Sequence, residues 1–234
     1  MKFSESNKTK AITFSYDDAT TQDIRLINLL NQYNLKSTFN INSELLGQSG
    51  ILTINKKPIA HYKVHAADVK RIYDGHEIAA HSLTHPKLTE CDTDEIIRQV
   101  EQDRLNLSEL AGYEVVGMAY PCGGVNNDDR VAAVIKEHTG IKYSRTTTPT
   151  YNFDIQENLF RFNTTLHHLE FDDMMRLGKE FIELKTDTPK IFYIWGHSFE
   201  MDLHPDNWTK LEEFFNLISN KDDIFYGTNA EVLL

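Results

Sequence analysis

Short β-forming runs alternate with amphipathic helical patterns along most of this chain, and this alternation constrains its fold more than any other feature. Parallel strands need long crossover connections, which are usually helices, so the alternation predicts an α/β fold with a parallel sheet. The predicted strands are Ala11 to Tyr16, Ser37 to Ile41, His76 to Ala80, Gly117 to Tyr120 and Lys190 to Trp195, with weaker candidates at Lys142 to Arg145 and Ile224 to Tyr226.

Apolar residues recur at helical spacing between these runs. The predicted helices are one containing Ile24, Ile27, Leu30 and Tyr33, one that begins at Asp92 with Glu95 completing a capping box, and three more over Asn127 to His138, Phe171 to Leu184 and Asn207 to Ile218. The segment from Gly47 to Val64 fits neither period, and we interpret it as a hairpin insertion near the functional site. No linker or repeat divides the chain, so we expect a single domain over residues 1 to 234.

Composition and charge exclude several classes of protein. With 234 residues and 40% hydrophobic content the chain can bury a sizeable core. Its formal charge of -11 repels nucleic acid and anionic membrane surfaces, so neither is an expected partner. Two cysteines are too few for a disulfide scaffold in a chain of this length. The sequence leaves the oligomeric state open.

The first ten residues are polar and contain no apolar signal core, and no later stretch approaches the roughly 20 apolar residues of a membrane span. This pattern favours a cytoplasmic protein. A secreted protein from which the signal peptide has been removed would have the same pattern.

Polar residues follow four of the predicted strands at the point where each strand ends. They are Asp17 and Asp18, then His81, then Pro121 to Gly124, and finally His197. In parallel α/β folds the active site gathers at the carboxyl ends of the strands, so these groups are expected at one rim.

Asp18, His81 and His85 together form a predicted ligand set for a divalent metal. Two histidines four residues apart lie on one face if the local backbone is helical, and nitrogen and carboxylate ligands suit zinc, cobalt, nickel or similar ions. Each residue has a simpler explanation when it is taken alone: a helix cap for the aspartates, surface histidines for the pair, and a buried structural residue for His197. Their convergence favours metal-assisted hydrolysis, with Asp17 free to act as a base.

These motifs resemble those of the polysaccharide deacetylases, the nodulation-type family of carbohydrate esterases. The family's first motif resembles Thr13 to Asp18, its second resembles His81-Ser82-Leu83-Thr84-His85, and its last histidine resembles His197. The resemblance covers nearly the whole chain. It implies a distorted (β/α) barrel with about seven strands.

The resemblance also implies a role for each motif residue. Asp18, His81 and His85 would hold the metal, with zinc favoured and cobalt, nickel or manganese as alternatives. Asp17 would accept a proton from water, and His197 would protonate the departing amine. The backbone N–H of Cys122 would stabilise the oxyanion, a contribution of about 2.7–4 kcal/mol for donors of this kind.

The chain departs from the family pattern in two motifs. The third motif has Ala119-Tyr120-Pro121-Cys122 where the family has an arginine that steadies the base, and we predict that Arg145 supplies this cation from another strand end. The fourth motif supplies an aspartate that orients the catalytic histidine. No clean match exists here, and Asp154, Glu170 and Asp202 are the candidates.

Four residues are predicted to contact substrate: Tyr120, Pro121, Trp195 and His168. Trp195 could stack on a sugar ring, although a buried strand aromatic is the simpler interpretation. The expected substrate is an N-acetylated sugar or oligosaccharide, hydrolysed to acetate and a free amine. Two alternatives stay open at this point: a hydrolase acting on a cyclic ureide or formamide, and a carbohydrate-binding or metal-binding homologue without activity.

Overall fold

The computed structural model describes residues 2–234 of the chain. Its strands are β1 Lys10–Asp17, β2 Ser37–Ile41, β3 Ile51–Ile54, β4 Lys57–Ala60, β5 Glu77–Ala80, β6 Gly117–Ala119, β7 Tyr143–Pro149, β8 Phe162–Thr164, β9 Leu166–His167, β10 Lys190–Gly196 and β11 Ile224–Tyr226. Its α-helices are α1 Asp23–Gln32, α2 Val69–Ile72, α3 Thr93–Ala111, α4 Asp129–His138, α5 Phe171–Glu183, α6 Asn207–Ile218 and α7 Asn229–Leu233.

The main sheet is parallel and runs in the order β7-β6-β5-β2-β1-β10. β8 pairs with β7 on one side, and β9 pairs with β10 on the other. Thr165 joins β8 to β9 and donates its N–H to the Tyr193 carbonyl at 2.7 Å. One extended segment over 162–167 therefore joins the two sides of the sheet into a nearly closed barrel, which confirms the predicted distorted (β/α) barrel.

Strand β1 shows how the sequence divides the two faces of the barrel wall. All eight of its residues are buried. Alternate side chains of a strand point to opposite faces, and Ile12, Phe14 and Tyr16 belong to the larger hydrophobic core. The intervening Thr13, Ser15 and Asp17 point to the other face, the barrel interior. This polar interior leads up to Asp17 at the carboxyl end of the strand.

The predicted strands correspond to the seven strands β1, β2, β5, β6, β7, β10 and β11. The five predicted helices are also present. Asp92 caps α3 by accepting the Glu95 N–H at 2.9 Å, whereas the Glu95 side chain bonds to Arg98 instead of completing a capping box. The insertion over 47–64 contains the antiparallel hairpin β3-β4, as predicted.

Among residues 2–234, none of the helices combines the length and the apolar character that crossing a bilayer requires.

Candidate active site

The three predicted metal ligands lie together at the carboxyl ends of β1 and β5. One ligand atom from each of Asp18, His81 and His85 lies within 4.8 Å of the others. His81 donates from Nδ1 to the Ala119 carbonyl at 2.9 Å, which directs Nε2 to the group. Burial lowers the pKa of His81 to about 4, so its ring is neutral at physiological pH. A neutral imidazole pair with one carboxylate fits a borderline divalent ion.

The site rim is built from residues with left-handed backbone conformations. The five non-glycine examples have φ values of 83° for Asp18, 50° for Ala19, 65° for Ser82, 62° for His85 and 67° for Cys122. Such conformations cost free energy in residues that carry a side chain. They turn the chain sharply at the end of each strand and aim its side chains at one point. The segment 81–85 is not helical, and its two imidazoles still meet at a centroid distance of 4.9 Å.

The end of the insertion, after β4, places Lys63 and His61 on Asp18. The Lys63 ammonium lies 3.1 Å from Asp18 Oδ1, and His61 Nε2 lies 3.3 Å from Oδ2. Burial would raise the pKa of Asp18, but the bond from His61 and the charge of Lys63 hold it well below its usual range. Both carboxylate oxygens of this predicted ligand are therefore engaged by the protein. Neither Lys63 nor His61 was predicted from the sequence to lie in the site.

Asp17 is buried against Arg145, the cation predicted from β7. Arg145 Nη2 donates to both carboxylate oxygens, at 2.6 Å for Oδ1. Asn40 Nδ2 donates to Oδ1 at 2.7 Å. Burial would raise the pKa of Asp17, but Arg145, with smaller effects from His81 and His197, holds it below its ordinary value. Asp17 is thus ionised and fixed in orientation.

His197 lies on the other side of the cavity and is paired with Glu200. Its Nδ1 is 3.1 Å from Glu200 Oε2, and its backbone N–H donates to the same oxygen at 3.0 Å. Desolvation would lower the pKa of His197, but the Glu200 carboxylate, helped by Asp18 and Asp17, raises it to about 9. The ring is therefore an imidazolium near neutral pH, with Nε2 available to the cavity.

Two further histidines, His167 and His168, contact Glu200. They lie at the end of the segment that closes the barrel. Glu200 Oε2 lies 2.8 Å from His168 Nε2 and 3.1 Å from His167 Nε2. These bonds and the charge of His197 hold the pKa of Glu200 far below its ordinary value despite the opposing effect of burial. Its carboxylate is consequently ionised and held from several directions.

Gly196 permits this packing. A Cβ on Gly196 would lie 2.2 Å from Cδ2 of His168, so any side chain there would displace the imidazole. His168 is completely buried behind Gly196 and is not on the cavity wall, where the sequence placed it. Burial lowers its pKa to about 4, and the neutral ring donates to Glu200.

A cavity of about 240 Å³ joins these groups. Its wall is formed by Asp17, Asp18, His81, His85, Tyr120, Cys122, Gly123, Thr147, Trp195 and His197. Tyr120 and Trp195 thus lie where they were predicted, and the Arg145 guanidinium stacks 4.7 Å from the Trp195 ring centroid. Pro121 is buried beside the wall. The Cys122 N–H points at His85 Nε2 across 3.5 Å, next to the predicted metal position.

A second cavity of about 360 Å³ adjoins the first and shares Asp18 and His85 with it. Its other wall residues come from the hairpin insertion and the turn before it: Leu45, Gln48, Ser49, Gly50, Leu52, His61 and Lys63. The hairpin therefore forms one side of an extended cleft.

None of the three carboxylates suggested by sequence for orienting His197 contacts it. Asp154 pairs with Lys190, Glu170 accepts from the Tyr151 hydroxyl, and Asp202 accepts from the Trp208 indole N–H. Glu200 occupies the orienting position instead. The signal available in the sequence was local, because Glu200 stands three residues after His197, the spacing at which a carboxylate reaches back to the first residue of a helical turn.

The chain forms a nearly closed parallel barrel, and carboxylates and histidines are grouped at the ends of its strands. These features define a barrel protein with a candidate metal site. The family model described as polysaccharide deacetylase matches residues 4–143, more than half of the chain. The chain therefore belongs to the polysaccharide deacetylase family.

A curated relative is the peptidoglycan-N-acetylglucosamine deacetylase PgdA of Listeria monocytogenes, which is 24% identical over 123 residues. The matched region is 52% of this chain and 23% of the relative. The chain thus spans about a quarter of the length of the curated relatives it matches.

Several solved structures share the fold. A Mycobacterium smegmatis protein provisionally described as a polysaccharide deacetylase has a TM-score of 0.64 at 15% identity, over 96% of this chain and 88% of that one. A family 4 carbohydrate esterase from Streptomyces lividans, in complex with acetate, has a TM-score of 0.53 at 13% identity, over 91% and 88%. A variant of a family 4 pseudoenzyme with restored enzymatic activity has a TM-score of 0.57 at 17% identity, over 98% and 69%.

Proposed function

We propose that this protein is a metal-dependent deacetylase that hydrolyses the N-acetyl group of an amino sugar or its oligomer. One observation carries the proposal: a predicted ligand set, an ionised carboxylate and an imidazolium line the same cavity. A protein that only binds sugar has no need for both a proton acceptor and a proton donor around a ligand set.

Asp18, His81 and His85 would hold the divalent ion, which when bound supplies Lewis acidity toward the acetyl carbonyl and the attacking water. Asp17 is the proposed base and accepts the proton of that water. Arg145 keeps Asp17 ionised and oriented, which limits its basicity but fixes its position. This arrangement replaces the arginine that the third motif lacks.

His197 is the proposed general acid. Its Nε2 donates a proton to the amine nitrogen as the C–N bond breaks, and Glu200 stabilises the imidazolium that carries this proton. The Cys122 N–H is the proposed oxyanion donor, since it lies beside the predicted ligand set and points at His85 Nε2. A backbone donor tolerates the change of side chain at this position.

The paired cavities support an amino-sugar oligomer as the substrate. The smaller one reaches the proposed catalytic groups and can take the acetylated residue, with the Trp195 indole available to stack on a sugar ring. The larger one leaves room for a neighbouring unit. The family relationship and the activity for which the Listeria relative is named agree with this class of substrate.

The deciding experiment measures acetate release from N-acetylglucosamine oligomers by the metal-depleted chain and by the chain loaded with zinc, cobalt, nickel or manganese. We expect acetate and one free amine per event only with metal. Ring opening of a cyclic ureide or cleavage of a formamide without acetate release would favour the other C–N hydrolase. Sugar binding without a product under every metal would favour the inactive homologue.

Replacing Glu200 by glutamine should narrow the pH range of activity. The variant keeps a hydrogen-bond acceptor but loses the charge that raises the pKa of His197 to about 9. The imidazolium then loses its proton at lower pH, so the alkaline limb of kcat/KM should move down by at least about one pH unit. Asp202→Asn is the matched control, because Asp202 lies two residues further on and bonds to Trp208 and Gln22. An unchanged alkaline limb in Glu200→Gln would show that Glu200 does not set the protonation of His197.

A further inference from the structure

Lys63 is a buried cation placed directly on a predicted metal ligand. Its side chain is 6% exposed, and its ammonium lies 3.1 Å from Asp18 Oδ1. The same oxygen is the one nearest His85 Nε2, at 3.9 Å, so it faces the predicted metal position. A positive charge and a divalent cation would therefore share one carboxylate oxygen.

Hydrogen bonds to backbone groups hold Lys63 in this place. Its Nζ donates to the Asp18 backbone carbonyl at 2.7 Å. Its own N–H donates to the Gln48 carbonyl at 2.8 Å, and the next residue, Val64, donates to the Ala19 carbonyl at 2.9 Å. The Val64 bond holds the end of the insertion against the left-handed turn that follows β1, and the Nζ bond directs the ammonium to Asp18.

We propose that Lys63 is a positioning residue that weakens the hold of the site on its divalent ion while it orients the ligand carboxylate. This inference rests on the proposed function, because it takes Asp18, His81 and His85 as the metal site. Like charges repel strongly over short distances where water is excluded, and the Lys63 side chain is almost completely enclosed. The remaining engaged oxygen, Oδ2, is bonded to His61, so Asp18 keeps one orienting contact even without Lys63.

The expected consequence is that a bound metal would exchange more readily and would be more electrophilic. A carboxylate whose charge is shared with an ammonium donates less electron density to an ion. A bound ion would then be a stronger Lewis acid toward a substrate carbonyl, at the expense of affinity. The hairpin insertion thus contributes to the chemistry as well as to the shape of the cleft.

Zinc affinity measured by competition with a chromophoric chelator tests this inference directly, without reference to turnover. Lys63→Gln keeps a donor for the Asp18 carbonyl and removes the charge, and it should bind zinc about tenfold more tightly or better. Lys63→Arg keeps the charge and should bind close to wild type. Lys179→Met, which removes an exposed charge on α5, should also be unchanged.

Each outcome of the zinc titrations either supports or contradicts the proposed role of Lys63. Affinity in Lys63→Gln that equals or falls below wild type, with an intact circular dichroism spectrum, would overturn the inference, because a purely structural role can only loosen the site. Lys63→Met provides the same comparison if the glutamine variant does not fold. If the wild-type chain itself binds no zinc, cobalt, nickel or manganese, the proposed function fails instead.

Discussion

Replacing His81 by alanine is expected to abolish both tight metal binding and turnover. His81 is 1% exposed and offers Nε2 to the predicted metal position, with its other nitrogen bonded to Ala119. Its loss leaves one histidine and one carboxylate, a much poorer ligand set. Lewis-acid catalysis contributes several kcal/mol, so turnover should fall by about three orders of magnitude or more. Metal content by mass spectrometry and acetate release would be measured on the same preparation.

His204→Ala is the matched control for this variant, since His204 is an exposed histidine outside the predicted ligand set. It should retain full metal content and activity. Thermal unfolding of both variants separates loss of the site from loss of the fold. A folded His81→Ala protein with wild-type metal content would contradict the assigned ligand set.

Replacing Asp17 by asparagine should remove the proposed base while leaving metal binding nearly intact. General-base catalysis is worth roughly 10²–10⁴ in rate, and kcat should fall by that factor. Asparagine keeps an oxygen that can accept from Arg145 and Asn40. The chelator competition described for Lys63 would measure the metal affinity, and single-turnover acetate release would measure the chemical step.

Asp17→Asn also affects stability, because it leaves the buried Arg145 without its ion-pair partner. A second substitution separates this effect from the loss of the base. Arg145 is fully buried, and breaking a buried ion pair typically costs about 3–5 kcal/mol because one charge is left alone. Asp17→Asn should therefore unfold more easily than wild type. The double variant Asp17→Asn/Arg145→Met should recover stability without recovering activity. Recovery of both, or near-normal turnover in the single variant, would remove Asp17 from its proposed role.

Strand and helix periods are local properties, and they predicted the α/β class with a parallel sheet, whereas the barrel was implied by the resemblance to the polysaccharide deacetylases. The sequence pattern missed β8 and β9, which are three and two residues long and pair with strands distant along the chain. Their placement depends on barrel closure, a tertiary effect that no local pattern encodes.

The motif residues of the site were predictable for a different reason. Asp17 ends β1 and Asp18 follows it, while His81, His85 and His197 lie in the loops after β5 and β10, and the ends of parallel strands meet at one rim. The supporting residues were harder to predict. Lys63 reaches Asp18 from an insertion, and Glu200 lies on a short helical turn, so both depend on loop geometry rather than on strand order.

Gly196 takes part in a contact that depends on tertiary structure. The group that approaches its backbone closely is the His168 ring. The contact arises only when the segment over 162–167 closes the barrel against β10.

The residues with left-handed backbone conformations around the rim imply that thermal stability and activity make opposite demands on these positions. An ordinary backbone conformation at any of these positions would relieve strain that the rest of the barrel now offsets. The five positions are Asp18, Ala19, Ser82, His85 and Cys122. A screen that rewards heat resistance alone should therefore accumulate changes in this ring of five positions. The most heat-resistant variants from such a screen should also bind metal most weakly.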